Sequence, residues 1–184
     1  IIEKNFFEQA ILLKPFVDFF YLDVLSGSKE CEIAINICEK LGLPVLVGLH
    51  VKKNGKLPSK ENIAEVFEKC KSKNWLGLIL ACVSPEIIEN TIDEIRELKI
   101  PFGFKINLWK NKEPIPVSEI LAKMNNNDVN NPLNPNQILG KREDFTDLKF
   151  FEFSKKMINK GATILGGCCE TNPSHIKKIA NLKN

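Results

Sequence analysis

Two adjacent cysteines, Cys168 and Cys169, follow a glycine pair in the stretch ILGGCCETNPSHI and stand just ahead of a helix start. Neighbouring side chains of a regular strand point to opposite faces, so such a pair implies a strand end that wants both sulfurs on one side. A third cysteine, Cys82, closes the apolar run LGLILAC. It too is followed at once by a helix start, Ser84-Pro85, just as Asn172-Pro173 follows the pair. Each dipeptide fits an N-cap residue with proline at the first helical position. Three cysteines at the C-terminal ends of strands offer three thiolates to one ion. Such a set selects a soft or borderline metal, zinc first, and three ligands leave the open fourth position of a catalytic site. A free thiol, with a pKa near about 8.5, is only a few per cent thiolate at neutral pH. Zinc with an open position would bind an incoming thiol as thiolate, and three anionic ligands would leave it nucleophilic. The chemistry that needs this is thiol alkylation. The plainer alternatives are metal-free core cysteines or a vicinal disulfide between Cys168 and Cys169. Cys31, Cys38 and Cys70 fall on helical patterns and read as core.

The elements that must position these sulfurs alternate along the chain. Helical patterns cover about 3–15, 28–41, 61–73, 85–98 and 146–160, and a last helix starts at Pro173. Apolar strand-like runs fill 17–23, 44–51, 76–82, 100–107 and 162–166. Regular alternation means parallel strands with right-handed crossovers, and near-continuous apolar strands mean that both faces are covered. No glycine-rich phosphate loop follows any strand, which removes the usual reason to prefer an open doubly wound sheet over a closed (β/α)8 barrel. In a barrel, alternate strands feed the same interior layer, so Cys82 on the third run and Cys168–Cys169 on the fifth can converge. The glycines 166 and 167 are expected to let the strand end twist so that both sulfurs reach one point. Residues 109–144 break the rhythm. Their middle, NNNDVNNPLNPN, reads as a long exposed loop.

Bulk properties fit one soluble domain of 184 residues, 43% hydrophobic and 27% charged. The net charge of +3 comes from scattered lysines, without the basic face that nucleic acid requires. No apolar run is long enough for a bilayer. The opening IIEKNFFEQA lacks a signal peptide's basic region and cleavage site, and six cysteines without a secretion signal point to a reducing cytoplasm.

At these residues the sequence resembles a known family. GATILGGCCETNPSHIKKI is similar to the C-terminal motif of the homocysteine S-methyltransferase (homocysteine-binding) domain, in which GGCC is followed by T-x-P-x-H-I. LILACVSPE resembles its G-V-N-C-x-x-P segment. IPFGFKIN resembles the strand that ends in Y-P-N, and VDFFYLDVLSGSKE the strand that ends in E-T. PVLVGLHVKKNGKLPS resembles its strand followed by a D/N-G turn. The resemblance implies a (β/α)8 TIM barrel with a three-cysteine zinc site at Cys82, Cys168 and Cys169. It implies that Asp23 stands where a glutamate receives the amino group of homocysteine, one methylene shorter, and that Asn107 matches the asparagine of Y-P-N. Departures surround the substrate pocket: Ala81 replaces an asparagine, Ile79 a glycine, Val24 a threonine, and Gly48-Leu49-His50 an S-F-T strand end. His50 is therefore read as a pocket residue, with a fourth metal ligand or a local hydrogen-bonding role as alternatives. His175 is expected to support the cysteine turn.

A full barrel takes about 250 residues and eight strands. The sequence supplies five βα units and lacks the family's D-G-G first strand, so it reads as the C-terminal portion of the domain without its N-terminal strands. The function implied is zinc-dependent methyl transfer to homocysteine, giving methionine, or else a catalytically inactive remnant with a structural or empty zinc site. The methyl donor stays open among S-methylmethionine, betaine, S-adenosylmethionine and methylcobalamin.

Overall fold

The computed structural model describes residues 1–113, 121, 122, 124 and 138–182; the NNNDVNNPLNPN stretch lies outside them. Helix α1 (Ile2–Leu13) runs into a short 3-10 turn (Lys14–Phe16) and strand β1 (Phe20–Leu25). Helix α2 (Ser28–Lys40), β2 (Val45–Leu49), α3 (Ile63–Cys70), β3 (Trp75–Val83), α4 (Pro85–Arg96) and β4 (Phe102–Ile106) follow. After the long segment come α5 (Asp147–Asn159), β5 (Ile164–Gly167) and α6 (Pro173–Ala180). The strand of 17–23 thus starts three residues later than the sequence suggests and runs on to Leu25.

All strand pairs are parallel, in the order β1-β2-β3-β4-β5. The order never reverses. A doubly wound sheet must reverse to place helices on both faces, whereas right-handed crossovers that always step the same way put every helix on one face. The result is five neighbouring strands of a barrel-type sheet, α/β in class and incomplete as a barrel. Among the described residues no helix is long and apolar enough to cross a membrane.

The core lies between the sheet and its helices. In α2 the buried residues Cys31, Ala34, Ile35, Ile37 and Cys38 form one stripe, as do Ile87, Ile88, Ile92 and Ile95 of α4. Against these stripes stand every second residue of the strands: Val45, Val47 and Leu49, then Leu78 and Leu80, then Phe102, Phe104 and Ile106. Phe104 also meets Phe150 and Phe153 of α5 edge-on, with ring centroids 6.5 and 5.3 Å apart. Each such fully buried side chain contributes roughly 1.5–3 kcal/mol of transfer free energy. Cys31, Cys38 and Cys70 are all buried, as their helical positions suggest.

The alternate residues face the concave side. Here Tyr21, Asp23, Gly48, Ala81 and Lys105 look across the arc. The small ones matter: a Cβ on Gly48 would come within 2.7 Å of the Tyr21 hydroxyl and 3.0 Å of the Ala81 Cβ. Gly48 and Ala81 thus form a low floor over which longer side chains can reach.

Candidate functional site

Strict alternation would send Cys82 to the helix side with Leu78 and Leu80. It does not go there, because Cys82 adopts a left-handed backbone, φ 56°, at an irregularity in register between Ala81 and Val83. Ala81 and Cys82 both turn to the concave side, and Val83 returns to the helix-side core. Such a conformation costs a non-glycine residue of order 1 kcal/mol or more and is over-represented at functional sites. β1 repeats the device. Val24 has φ 58° at an irregularity between Leu22 and Leu25, and both leucines keep to the core.

The pair at the end of β5 reaches the same point by another route. The glycines 166 and 167 do not lie in the left-handed region; Glu170 does, at φ 62°. The chain therefore turns after the cysteines, and the expectation that the glycines twist the strand is corrected. Gly167 is needed for room instead, since a Cβ there would come within 2.9 Å of the Thr171 Cβ. Thr171 closes the turn, donating its backbone N–H and its hydroxyl to the Cys168 carbonyl. Asn172 then caps α6 by accepting from the backbone of Ser174 and His175. His175 returns a ring nitrogen to Asn172 N, 3.2 Å away, in a reciprocal cap, so it supports the turn as expected. The matching Ser84 holds the N-cap position of α4 but makes no side-chain cap bond. Its hydroxyl is buried without a partner among the described residues.

Three sulfurs result at one place. Cys82 Sγ lies 3.8 Å from Cys169 Sγ, and Cys168 Sγ lies 3.7 Å from Cys169 Sγ. All three fall within 4.8 Å of one another, a group that could hold a metal ion. The sulfur separations also show the vicinal pair as free thiols. Hydrogen bonds from Cys169 and Cys82, against the cost of burial and with help from the Lys105 ammonium, hold Cys168 well below the usual thiol range. The same sharing pushes Cys82 and Cys169 up. Sharing of this kind favours one thiolate beside two neutral thiols.

The end of β4 binds the two cysteine segments together. Cys168 N donates to Ile106 O (2.7 Å), Leu108 N to Cys169 O (2.9 Å), and Asn107 N to Val83 O (2.9 Å). Asn107, 5% exposed, donates its side-chain amide to the Cys82 carbonyl at 2.7 Å and lies 4.0 Å from the Cys82 sulfur. His50 Nδ1 is 3.0 Å from the Ala81 carbonyl. A carbonyl only accepts, so this nitrogen is the protonated one. His50 stands beside the cluster, outside the group of three sulfurs.

Asp23 faces the site from β1 and is bound by Lys105 of β4 through Oδ2. The Lys105 nitrogen also lies 5.3 Å from the centroid of the Tyr21 ring. Burial opposes its charge, but the Asp23 bond and the nearby Cys168 and Cys82 outweigh that and raise it above the usual lysine value. Burial, then Asp23, pushes the Tyr21 phenol up, and its hydroxyl has no hydrogen-bond partner among the described residues. Sequence reading missed Lys105. The visible signal was a lysine at an inward-facing position of an otherwise apolar strand.

Beyond the cysteines, the segment after β4 is anchored at both described ends. Trp109 bridges Lys141, and Arg142, with its side chain 8% exposed, holds Glu86 at the start of α4 through two bonds of 2.8 and 2.9 Å and Asp144 through two more.

Comparison with known proteins bears on the fold and the family. The crystal structure of the homocysteine methyltransferase MmuM from Escherichia coli, in its apo form, shares the fold with a TM-score of 0.62 at 15% identity. The match covers 97% of this chain and 56% of that one. Homocysteine S-methyltransferase 3 of Arabidopsis thaliana is 24% identical over 177 residues, 94% of this chain and 45% of the relative. Homocysteine S-methyltransferase 1 of the same plant is 25% identical over 173 residues, 92% and 47%. The chain thus spans about half the length of these curated relatives. A family profile described as homocysteine S-methyltransferase matches residues 2–182. The chain belongs to the homocysteine S-methyltransferase family.

Proposed function

We propose that this chain carries the acceptor site of a zinc-dependent methyltransferase that methylates the thiol of homocysteine to give methionine. The observation that carries the reading is the sulfur triangle. Zinc–sulfur bonds of about 2.3 Å in a tetrahedron separate neighbouring sulfurs by about 3.8 Å; the two edges through Cys169, 3.7 and 3.8 Å, match that spacing, and the third, Cys82 to Cys168, lies within 4.8 Å. Cys82, Cys168 and Cys169 would hold the ion, and residues 81 and 82 share the concave side from which a thiol would approach. When bound, zinc supplies a Lewis-acid position that favours the acceptor as thiolate at neutral pH.

The remaining work falls to the chain's own residues. Asn107 fixes the Cys82 backbone, and Thr171 fixes that of Cys168, so the ligand set is rigid before substrate arrives. Asp23 receives the ammonium of homocysteine. His50, with its proton directed at Ala81 O, offers its other ring nitrogen to the pocket. The reaction is a group transfer. The acceptor's sulfur lone pair forms the new S–CH₃ bond, the donor's leaving atom keeps the electrons of the bond that breaks, and the thiol proton is released.

Metal analysis combined with a homocysteine titration tests this. About one zinc per chain is expected, with a coordination shell that changes when homocysteine is added, read by X-ray absorption. Zinc that ignores homocysteine would overturn the enzymatic reading and mark a catalytically silent member that keeps its metal for structure.

A further inference from the structure

Lys105 is out of place by ordinary folding logic. It sits mid-strand on β4, in register with Ala81 of β3 on one side and Gly166 of β5 on the other. Those two residues come just before Cys82 and the Cys168–Cys169 pair, so Lys105 stands between the two cysteine strands, one layer below the sulfurs. Its side chain, 20% exposed, then crosses β3 and β2 to reach Asp23 on β1. The crossing is possible because Ala81 and Gly48 leave the floor low.

A partly exposed ion pair returns little stability, and an apolar pair would fill the same space at least as well. Three further observations indicate a ligand. Asp23 uses only Oδ2 toward Lys105, so among the described residues one carboxylate oxygen and two ammonium donors carry no hydrogen bond. The Tyr21 hydroxyl beside them is buried and unpartnered. All three groups share the concave face with the sulfur cluster. A positive and a negative group held side by side complement one chemical class above others, a head in which ammonium and carboxylate share a carbon.

We infer that Lys105 is a specificity-determining residue that receives the α-carboxylate of the acceptor while Asp23 receives its ammonium, so that the pair selects a zwitterionic thiol amino acid. This rests on the reading of the cysteines as the sulfur-binding centre. Without ligand, the two side chains satisfy each other. With ligand, the pair opens and each takes the opposite end of the zwitterion, and Tyr21 adds a hydroxyl donor to the carboxylate.

Calorimetric titration of the intact zinc-loaded protein with three thiols tests the assignment: homocysteine, 4-mercaptobutyrate (no ammonium) and 3-mercaptopropylamine (no carboxylate). The native protein should bind homocysteine about tenfold or more tighter than either analogue, each of which lacks one charge-assisted bond. Lys105→Met should weaken homocysteine by about tenfold or more and leave 3-mercaptopropylamine within about twofold. Lys105→Arg, which keeps the charge, should restore part of the loss. Equal weakening of all three thiols by Lys105→Met, or none, overturns the role of Lys105. If that variant does not fold, equal affinity of the native protein for homocysteine and 3-mercaptopropylamine overturns it as well. Binding of none of the three by the native zinc protein instead overturns the sulfur-site reading on which the inference stands.

Discussion

Asn107 holds Cys82 by its backbone carbonyl, through a buried side-chain amide 2.7 Å away. The bond joins the end of β4 to the left-handed residue on β3 and fixes the one sulfur that comes from outside the β5 turn. Asn107→Ala removes it. Metal affinity should fall by about 10–100-fold, as for other supports of metal ligands, measured by competition with a chelator. An unchanged zinc dissociation constant would show that the strand holds Cys82 without help.

Cys169 is the common neighbour in the triangle, 3.8 Å from Cys82 and 3.7 Å from Cys168. Cys169→Ser should lower zinc content from about one per chain to near zero and abolish methyl transfer. Cys38→Ala, which changes a buried helix cysteine, should leave metal content intact while lowering the unfolding temperature. Equal metal stoichiometry in native protein and Cys169→Ser would remove the ligand assignment.

Gly167→Ala places a methyl group where Thr171 stands. The side chain of Thr171 must move, and with it the bond that closes the turn on Cys168. Weaker metal binding by about tenfold or more is expected, with helix content unchanged by circular dichroism. The same change at Gly166, where the nearest atom is 3.6 Å from the added Cβ, should leave metal binding close to native.

Glu61 accepts from the backbone N–H and the hydroxyl of Ser28 at the start of α2 and pairs with Lys69. The Lys69 bond first, then those from Ser28, hold its carboxyl down at about 2. A depressed carboxyl adds stability above its unfolded value, about 4.3, and loses it as the pH falls through about 2. Its partner Lys69 is exposed and the carboxylate keeps some contact with solvent, so screening leaves a small gain, about 0.5–1 kcal/mol. Glu61→Gln should therefore lower the unfolding temperature by a few degrees at pH 7, and the difference should close between about pH 4 and pH 2. A gap that persists at pH 2 would mean that shape, not charge, carries the effect.

Much of this architecture was legible in the sequence because it rests on periodicity. The stripes of α2 and α4 and the apolar runs of β2 to β4 mark their own faces, and the helix start at Pro173 falls where Asn172 announces it. Strand order placed Cys82 at the same end of the sheet as Cys168 and Cys169, two strands away. What the sequence did not carry was local backbone geometry. Nothing in LILACVSP marks Cys82 as left-handed; strict alternation points its sulfur into the helix-side core. The glycines before the pair suggested twist, whereas the strain sits at Glu170 and Gly167 supplies clearance. The Asp23–Lys105 pair was hidden for a different reason. It spans 82 residues, and it depends on two small side chains on the intervening strands whose significance appears only in cross-section.

Cys82 and Cys169 are 87 residues apart in sequence and touch in space. A cation gripped by both would tie that stretch, with the long 109–144 excursion part of it, into one closed ring. The entropy of closing such a ring grows only with the logarithm of its size. Insertions or deletions in the excursion would therefore barely register at the sulfurs, and this part of the chain is where length can drift while the chemistry stays put.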